Sequence, residues 1–181
     1  SKVLNPSTEE VISLMPDGTV ENARKAIDAA EKAQNQWERT PSIERAAYLT
    51  KIAAGIRKRE KELTDIIVRE GGKTQGLANV EVLFTADYMD YMAGWARRYE
   101  GEIIPSDRPH ESIFLFKRPI GVTTGILPWN FPFFLVARKA APALITGNTI
   151  VIKPSQLTPE NAYVFAQIVE EAGLQIGRAH V

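Results

Sequence analysis

Cysteine is absent from the 181 residues, and histidine occurs only twice, at His110 and His180. The absence of cysteine excludes disulfide bonds, thiolate metal sites and a cysteine nucleophile within this chain. The two histidines are far apart in sequence, and no carboxylate stands at a ligand spacing from either of them. We therefore predict no metal site, and the lack of cysteine favours a cytoplasmic location.

An excess of either charge is also missing, because Lys plus Arg and Asp plus Glu each number 22. We therefore expect no basic surface for nucleic acid or for an anionic membrane. Proline, asparagine or arginine interrupts the longest apolar runs well before they reach a membrane-spanning length. The chain is long enough for one ordinary globular core.

The first hundred residues are predicted to be mainly helical, after a turn that leads into a short strand at residues 5–12. A helix from Val20 to Trp37 is indicated by residues at helical spacing, namely Ala23, Ile27, Ala30 and Gln34. Ser42 is a candidate N-cap for one long amphipathic helix over residues 43–70, which Gly71 and Gly72 end.

A further helix is predicted from Thr74, its candidate cap, to about residue 98. The helix carries Leu83, Phe84, Tyr88, Tyr91 and Trp95, and many of its aromatic residues are expected to lie in the core and not to bind a cofactor. The preceding segment GGKT, residues 71–74, resembles the end of a phosphate-binding loop. That motif needs a glycine where Ile67 stands and a strand before it, so we interpret GGKT as a turn between two helices.

The pattern changes after residue 100. Extended segments are predicted at 103–104 and 112–117, and then strand, helix, strand and helix alternate over residues 121–173, which predicts a parallel α/β unit. The dinucleotide fingerprint GxGxxG is missing. Ligands of such sheets bind at the carboxyl ends of the strands. The loops that follow residues 127 and 153 are therefore expected to form a ligand site.

A single amide, Asn130, lies in the otherwise apolar and stiff segment GILPWNFPFF, residues 125–134. An amide that leaves water without a partner costs on the order of 2 kcal/mol. Asn130 therefore needs either a local partner or a ligand. A position just before Pro132 suits a helix N-cap, which is the commoner role, and the alternative is a donor to a bound ligand.

Two cations near the same edge also have two interpretations each. Lys153 ends an apolar strand, so its ammonium either extends to water or donates to ribose hydroxyls or phosphate. The helix after Asn130 carries Phe131, Phe134, Leu135 and Arg138 on one face. Arg138 either extends to water or closes an apolar pocket by binding oxygen atoms. Lys139 lies on the neighbouring face.

The segments GILPWNFPFF and PALITGNTIVIKPS together resemble the NAD(P)-dependent aldehyde dehydrogenase superfamily. The opening NPSTEEVI resembles the family's NPxTGEVI, with Glu9 where glycine is usual, and ERAAYLTKIAAGI resembles an early helix of the family. The resemblance covers roughly residues 3–174. Residues 85–109 further resemble bacterial members that oxidise small hydroxyaldehydes such as lactaldehyde or glycolaldehyde.

The resemblance implies oxidation of an aldehyde to a carboxylic acid with NAD(P). In the family, a cysteine thiolate attacks the carbonyl, hydride passes to the nicotinamide, and water hydrolyses the thioester. Asn130 matches the donor to the developing oxyanion, and Lys139 matches a lysine near the nicotinamide ribose that assists proton movement. The implied cofactor contacts are Ile126, Leu127, Pro128, Trp129, Asn130, Lys153, Ser155 and Gln156.

The substrate-tunnel helix of the family matches Phe131, Phe134, Leu135 and Arg138. Because a guanidinium donates several hydrogen bonds, Arg138 suits a small hydroxylated or anionic aldehyde. Gln156 stands where many NAD-preferring members have glutamate, which accepts from the ribose 2′-hydroxyl and repels a 2′-phosphate. Glutamine lacks that repulsion, so we predict use of NAD with tolerance of NADP.

The resemblance also implies a division of the chain. Residues 1–100 match the helical part of the cofactor domain, residues 101–119 match a β arm for homo-oligomerisation (dimer or tetramer), and residues 120–181 match a truncated start of the Rossmann-type NAD(P)-binding unit. The family's nucleophilic cysteine and general-base glutamate lie further downstream, so the chain alone is predicted to be inactive, and its residues after Leu174 depart from the family. Alternatives are a noncatalytic nucleotide-binding or interaction module and an acylating enzyme that passes the acyl group to coenzyme A.

Overall fold

The protein is described over residues 1–174 by a computed structural model. Its strands are β1 (Lys2–Leu4), β2 (Val11–Leu14), β3 (Glu102–Pro105), β4 (Ser112–Leu115), β5 (Val122–Ile126) and β6 (Thr149–Lys153). Its helices are α1 (Val20–Arg39), α2 (Ser42–Lys58), α3 (Glu60–Gly71), α4 (Gln75–Ala93), α5 (Pro132–Ile145) and α6 (Glu160–Glu171), and a 3-10 turn follows α4 at Gly94–Arg97. The predicted departure from the family after Leu174 lies outside the described residues.

The strands form three two-stranded sheets. β1 and β2 pair antiparallel, as do β3 and β4, whereas β5 and β6 pair parallel with α5 between them in sequence. The prediction of an α/β unit after residue 120 and of extended segments before it is therefore confirmed. The side chain of Gln34 on α1 fixes the start of β6, because it accepts from the backbone N–H of Thr149 at 2.8 Å and donates to the carbonyl of Gly147 at 3.0 Å.

The connection between α3 and α4 is a tight turn, as predicted for the GGKT segment. Gly72 ends α3 in the left-handed region at φ 66°, where a side chain would be strained. Thr74 stands at the N-cap position of α4, although its side chain makes no capping hydrogen bond. GGKT thus joins two helices, and the element directly before it is a helix and not a strand.

The single helix predicted over residues 43–70 is wrong, because the helix is interrupted at Arg59. No proline or glycine marks this break in the sequence. Arg59 instead makes a set of contacts at the interruption, with Glu62 at 2.7 Å, Gln167 at 2.9 Å and Glu171 at 3.6 Å. Ser42 is not the cap of α2 either: Pro41 holds that position, and the Ser42 hydroxyl donates to the carbonyl of Ala96.

Helices α2 to α6 share one hydrophobic core with β6. The core face of α4 carries mainly small or flexible residues, namely Ala78, Val82, Ala86 and Met89. The prediction that many aromatic residues of this segment lie in the core is wrong: Phe84 and Tyr91 on α4 and Trp95 in the 3-10 turn are exposed, as is Leu83, and Tyr88 is partly buried. On α1 the buried residues are Ala26 and Ala30. The predicted buried face is therefore correct at Ala30 and wrong at Ala23 and Ile27, which are exposed.

Within residues 1–174, no helix is long and apolar enough to cross a bilayer. The same residues contain no cluster of three or more histidine, aspartate or glutamate side chains that could hold a metal ion.

Candidate active site

The two parallel strands end side by side at one edge of the molecule. Ile126 is the register partner of Lys153, and the backbone N–H of Leu127 donates to the carbonyl of Lys153 at 3.0 Å. The loop before α5 and the loop before α6 therefore leave the sheet together. This is the edge at which the sequence predicted a ligand site.

Asn130 lies in the first of these loops and is exposed, between the half-exposed side chains of Trp129 and Phe131. The hypothesis that Asn130 caps α5 is wrong. The N-cap residue is Phe131, and no side chain of the loop makes a capping bond. Within residues 1–174 the amide of Asn130 has no hydrogen-bond partner, so it remains free to bind a ligand.

A carboxylate from a different helix caps α5 in its place. Oε1 of Glu81, on α4, accepts from the backbone N–H groups of Phe133 at 2.9 Å and Phe134 at 3.1 Å. Its other oxygen is paired with the ammonium of Lys73, which comes from the GGKT turn. The same ammonium lies 3.7 Å from the ring centroid of Phe131, a cation–π contact.

The start of α6 has the same kind of cap. Glu70, near the end of α3, accepts from the backbone N–H groups of Glu160 at 3.0 Å and Asn161 at 3.4 Å, and from the side-chain amide of Asn161. Burial raises the pKa of Glu70 to about 7, although these hydrogen bonds favour the charged form and act in the opposite direction.

Sequence reasoning missed both carboxylates, although a signal was present. Glu81 follows Ala78 by three residues on the buried face of α4, and Glu70 follows Ile66 by four on the buried face of α3. A single carboxylate on an apolar helical face requires partners from elsewhere in the fold. Because Glu81 and Glu70 accept hydrogen bonds from the first backbone N–H groups of α5 and α6, a phosphate at this edge would have to bind other donors.

The predicted cofactor residues lie around the paired strand ends. Ile126 and Trp129 offer exposed apolar surface, whereas Leu127 is buried and Pro128 is exposed. The exposed Lys153 donates to the carbonyl of Pro154 at 3.2 Å. Ser155 Oγ accepts from the backbone N–H of Leu157 at 3.2 Å, and Gln156 is exposed. Exposed apolar side chains beside a cation and polar groups fit the adenosine part of a dinucleotide.

Lys139 lies against Gly125, near the carboxyl end of β5. A Cβ atom at Gly125 would lie 3.4 Å from Cβ of Lys139 and 3.5 Å from its Cγ, so the glycine allows the lysine stem to approach the strand closely. The residue is exposed. The stem of Lys139 therefore leaves α5 beside β5, the strand that precedes Asn130.

The predicted substrate face of α5 packs against α4. The ring of Phe134 lies 4.7 Å from that of Phe84 and 5.5 Å from that of Tyr88. Burial raises the pKa of Tyr88, and the neighbouring charge of Arg138 acts in the opposite direction. Leu135 is half-buried, while Phe131 and Arg138 are exposed. The structure thus adds Phe84 and Tyr88, which sequence reasoning had assigned to the core, to the residues around this face.

The chain belongs to the aldehyde dehydrogenase family, whose model matches residues 1–181. It is 71% identical to the lactaldehyde dehydrogenase of Escherichia coli over 97% of this chain and 36% of that protein. It is 40% identical to a D-glyceraldehyde dehydrogenase (NADP(+)) of Thermoplasma acidophilum over 96% of this chain and 35% of that protein.

The fold is similar over the same region. The crystal structure of lactaldehyde dehydrogenase from Escherichia coli superposes with a TM-score of 0.96 at 70% identity, over 98% of this chain and 37% of that one. The family resemblance and the fold class predicted from the sequence are therefore confirmed. The chain spans little more than a third of the length of these relatives.

Proposed function

We propose that this chain supplies the oxyanion donor and one half of the cofactor site of an NAD(P)-dependent aldehyde dehydrogenase. The observation that carries the proposal is the free amide of Asn130, exposed at the carboxyl edge of two parallel strands while a distant carboxylate caps its helix. An amide that the fold does not use, in an apolar loop of a family member, is suited to donate to a reacting oxygen.

In the proposed reaction, the side-chain N–H of Asn130 donates to the aldehyde oxygen as negative charge develops on it. One such donor contributes about 3 kcal/mol to the rate. The rings of Phe131 and Phe134 line the approach to this oxygen and reduce the access of water. The attacking thiolate comes from outside these residues, because the 181 residues contain no cysteine.

The cofactor is proposed to lie along the loops after β5 and β6. NAD(P), when bound, accepts the hydride of the aldehyde. The backbone from Ile126 to Asn130 would line it, and Lys153 and Ser155 would bind its adenosine ribose. Gln156 would accept a hydrogen bond from the 2′-hydroxyl of that ribose, and it would not repel a 2′-phosphate. Lys139 is proposed to move protons near the nicotinamide ribose.

The proposed substrate is a small hydroxyaldehyde such as lactaldehyde or glycolaldehyde. The similarity to the lactaldehyde dehydrogenase of Escherichia coli supports this choice. The face formed by Phe131, Phe134, Leu135 and Arg138 combines apolar surface with one guanidinium, which can donate to a hydroxyl or carboxylate oxygen of the substrate.

A homo-oligomer and a cytoplasmic location belong to the same proposal. The β3–β4 hairpin and the segment after it carry exposed apolar residues that an interface would cover, namely Ile103, Phe114, Phe116 and Ile120. All of these except Ile120 lie in residues 101–119, which the family resemblance assigns to oligomerisation.

The test is aldehyde-dependent reduction of NAD by the full-length protein that carries this chain. We expect turnover of lactaldehyde and glycolaldehyde, and a loss of roughly 100- to 1,000-fold in kcat for Asn130→Ala. Unfolding of Asn130→Ala should match the wild type, because Asn130 makes no hydrogen bond within the described residues. The exposed Asn35 on α1 gives a matched control, Asn35→Ala, which should keep full activity.

Two outcomes would replace the proposal by its alternatives. Binding of NAD without turnover of any aldehyde would identify a noncatalytic nucleotide-binding module. Formation of a thioester with coenzyme A in place of the free acid would identify an acylating enzyme.

A further inference from the structure

We infer that the Lys73–Glu81 pair is a positioning device for Asn130. The inference rests on the proposed function, because it concerns the geometry of the proposed oxyanion donor. It goes beyond that function by assigning a role in the chemistry to two residues of the helical region that match none of the family's cofactor or substrate residues named above.

The first step concerns the backbone. Glu81 bonds the N–H groups of Phe133 and Phe134, which follow Asn130 by three and four residues. Pro132, between them and the loop, restricts the backbone further. The position of the Asn130 backbone is therefore set by a side chain of α4, which packs closely against α5.

The second step concerns the amide itself. A helix that begins without a partner for its first N–H groups draws on a nearby Ser, Thr, Asn or Asp side chain as a cap. Asn130 is the only such residue in the segment 125–134. Because Glu81 already satisfies two of these N–H groups, the amide of Asn130 is not needed as a cap and is left for a ligand.

The third step concerns Lys73. Its ammonium is paired with Glu81 and lies over the ring of Phe131, the residue directly after Asn130. The Glu81 side chain is fully buried, whereas 18% of the Lys73 side chain is exposed. Lys73 therefore has two functions: it compensates a buried charge and it holds the ring beside the donor.

The device makes no contact with the reacting atoms in this proposal, so Lys73 and Glu81 are positioning residues and not catalytic ones. A purely structural role would reduce stability without changing turnover by the folded protein. A positioning role requires that the effect on turnover depend on Asn130.

The experiment compares Glu81→Gln, Lys73→Met and Lys73→Arg in the full-length protein, with each rate measured at a temperature at which the variant is fully folded. We expect Glu81→Gln and Lys73→Met to lower kcat about tenfold, because a small displacement of a preorganised donor is costly. The KM for NAD should change less than about twofold. Lys73→Arg keeps both the charge and the ring contact and should retain most of the activity.

The decisive measurement is a double-mutant cycle with Asn130→Ala. If Glu81 acts through Asn130, Glu81→Gln will lower kcat in the wild-type background and will have no further effect once Asn130 is alanine. The matched control is Glu70→Gln, which changes the buried cap of α6 and should lower kcat less than Glu81→Gln does.

Three outcomes would overturn the inference: an unchanged kcat in Glu81→Gln, an equal loss in the Asn130→Ala background, or an equal loss in Glu70→Gln. These results are distinct from a failure of the proposed function. In that case the wild-type protein itself would oxidise no aldehyde, and the inference would fail together with the function on which it rests.

Discussion

The starts of α5 and α6 are two versions of one arrangement. Each helix follows a parallel strand, and each has its first N–H groups bonded by a buried glutamate from the helical region. They differ in charge compensation. Glu81 is paired with Lys73, whereas among the described residues no cation lies within 4.0 Å of the Glu70 carboxylate.

The difference in charge compensation predicts that the starts of α5 and α6 depend differently on pH. At α5 a paired charge accepts two hydrogen bonds, and the neighbouring loop carries the proposed oxyanion donor. At α6 an unpaired carboxyl has a pKa raised to about 7, and the neighbouring loop carries the proposed cofactor residues. The end that we propose to hold the reacting oxygen is thus held by an ion pair, and the end that we propose to bind the cofactor lies beside a carboxyl group with a pKa of about 7.

The largest expected effect comes from removing the cation that distinguishes the two ends. Lys73→Met leaves the Glu81 charge buried without compensation, and we expect a loss of about 3 kcal/mol in the free energy of unfolding, measured with urea on the full-length protein. The control is Lys61→Met, which removes an exposed pair with Asp65 and should change the free energy of unfolding far less, because solvent screens that pair. Equal losses of unfolding free energy in the two variants would show that Lys73 does not compensate the Glu81 charge more than an exposed ion pair would.

A change of pH should act on the α6 end. Because the pKa of Glu70 is raised from 4.5 to about 7, the folded protein holds this proton more tightly than the unfolded chain does. The contribution of Glu70 to stability is therefore complete below pH 4.5 and is lost as the pH rises through 7. Relative to Glu70→Gln, the wild type should lose up to about 3 kcal/mol between pH 4.5 and pH 8.

Glu62 is the control for the direction of this pH dependence. The hydrogen bond from Arg59 lowers the pKa of Glu62, so its contribution is present above its unfolded pKa and is lost as the pH falls. The difference between wild type and Glu62→Gln should therefore change in the opposite direction. A pH dependence of the same sign in both pairs would contradict the titration of Glu70.

A moderate effect is expected on cofactor choice at the α6 end. Gln156→Glu should lower kcat/KM with NADP about tenfold, because a carboxylate repels the 2′-phosphate, and should leave kcat/KM with NAD nearly unchanged. Gln36→Glu adds the same charge to an exposed position on α1 and serves as the control. Equal kcat/KM with NADP in the wild type and in Gln156→Glu would count against a position of Gln156 beside the adenosine ribose.

The smallest expected effect concerns the substrate at the α5 end. Arg138→Leu should reduce the preference for lactaldehyde over propanal about fivefold, or about 1 kcal/mol, because one set of hydrogen-bond donors is lost. Arg24→Leu, on the exposed surface of α1, should leave that preference intact. An unchanged preference in Arg138→Leu would remove this residue from the substrate site.

Local patterns in the sequence were sufficient for the α/β unit. The alternation of short apolar runs with helical segments predicted strands at 121–127 and 149–153 and helices at 132–144 and 159–172, each end within one residue of those of β5, β6, α5 and α6. The turn at Gly72 was likewise predictable, because a glycine at a helix end supplies the left-handed conformation. These features depend on neighbours in sequence, and their signals are local.

The features that sequence reasoning missed depend on distant partners. The cap of α5 joins Glu81 to Phe133, 52 residues away, and the break at Arg59 is accompanied by a contact with Gln167, 108 residues away. The hypothesis that Asn130 is a cap was reasonable for its position, and it failed because a group outside the segment had already taken that role. The exposed aromatic residues of α4 were misassigned because hydrophobicity alone does not indicate which face of a helix is covered.

The order of synthesis gives the Lys73–Glu81 pair one more consequence. Lys73 and Glu81 are eight residues apart, whereas the helix that they hold begins about fifty residues later. A chain made from its N-terminus releases both residues from the ribosome before Pro132. The binding surface for α5 is therefore made before the helix itself, and docking of α5 closes the loop of about fifty residues that joins Glu81 to Pro132.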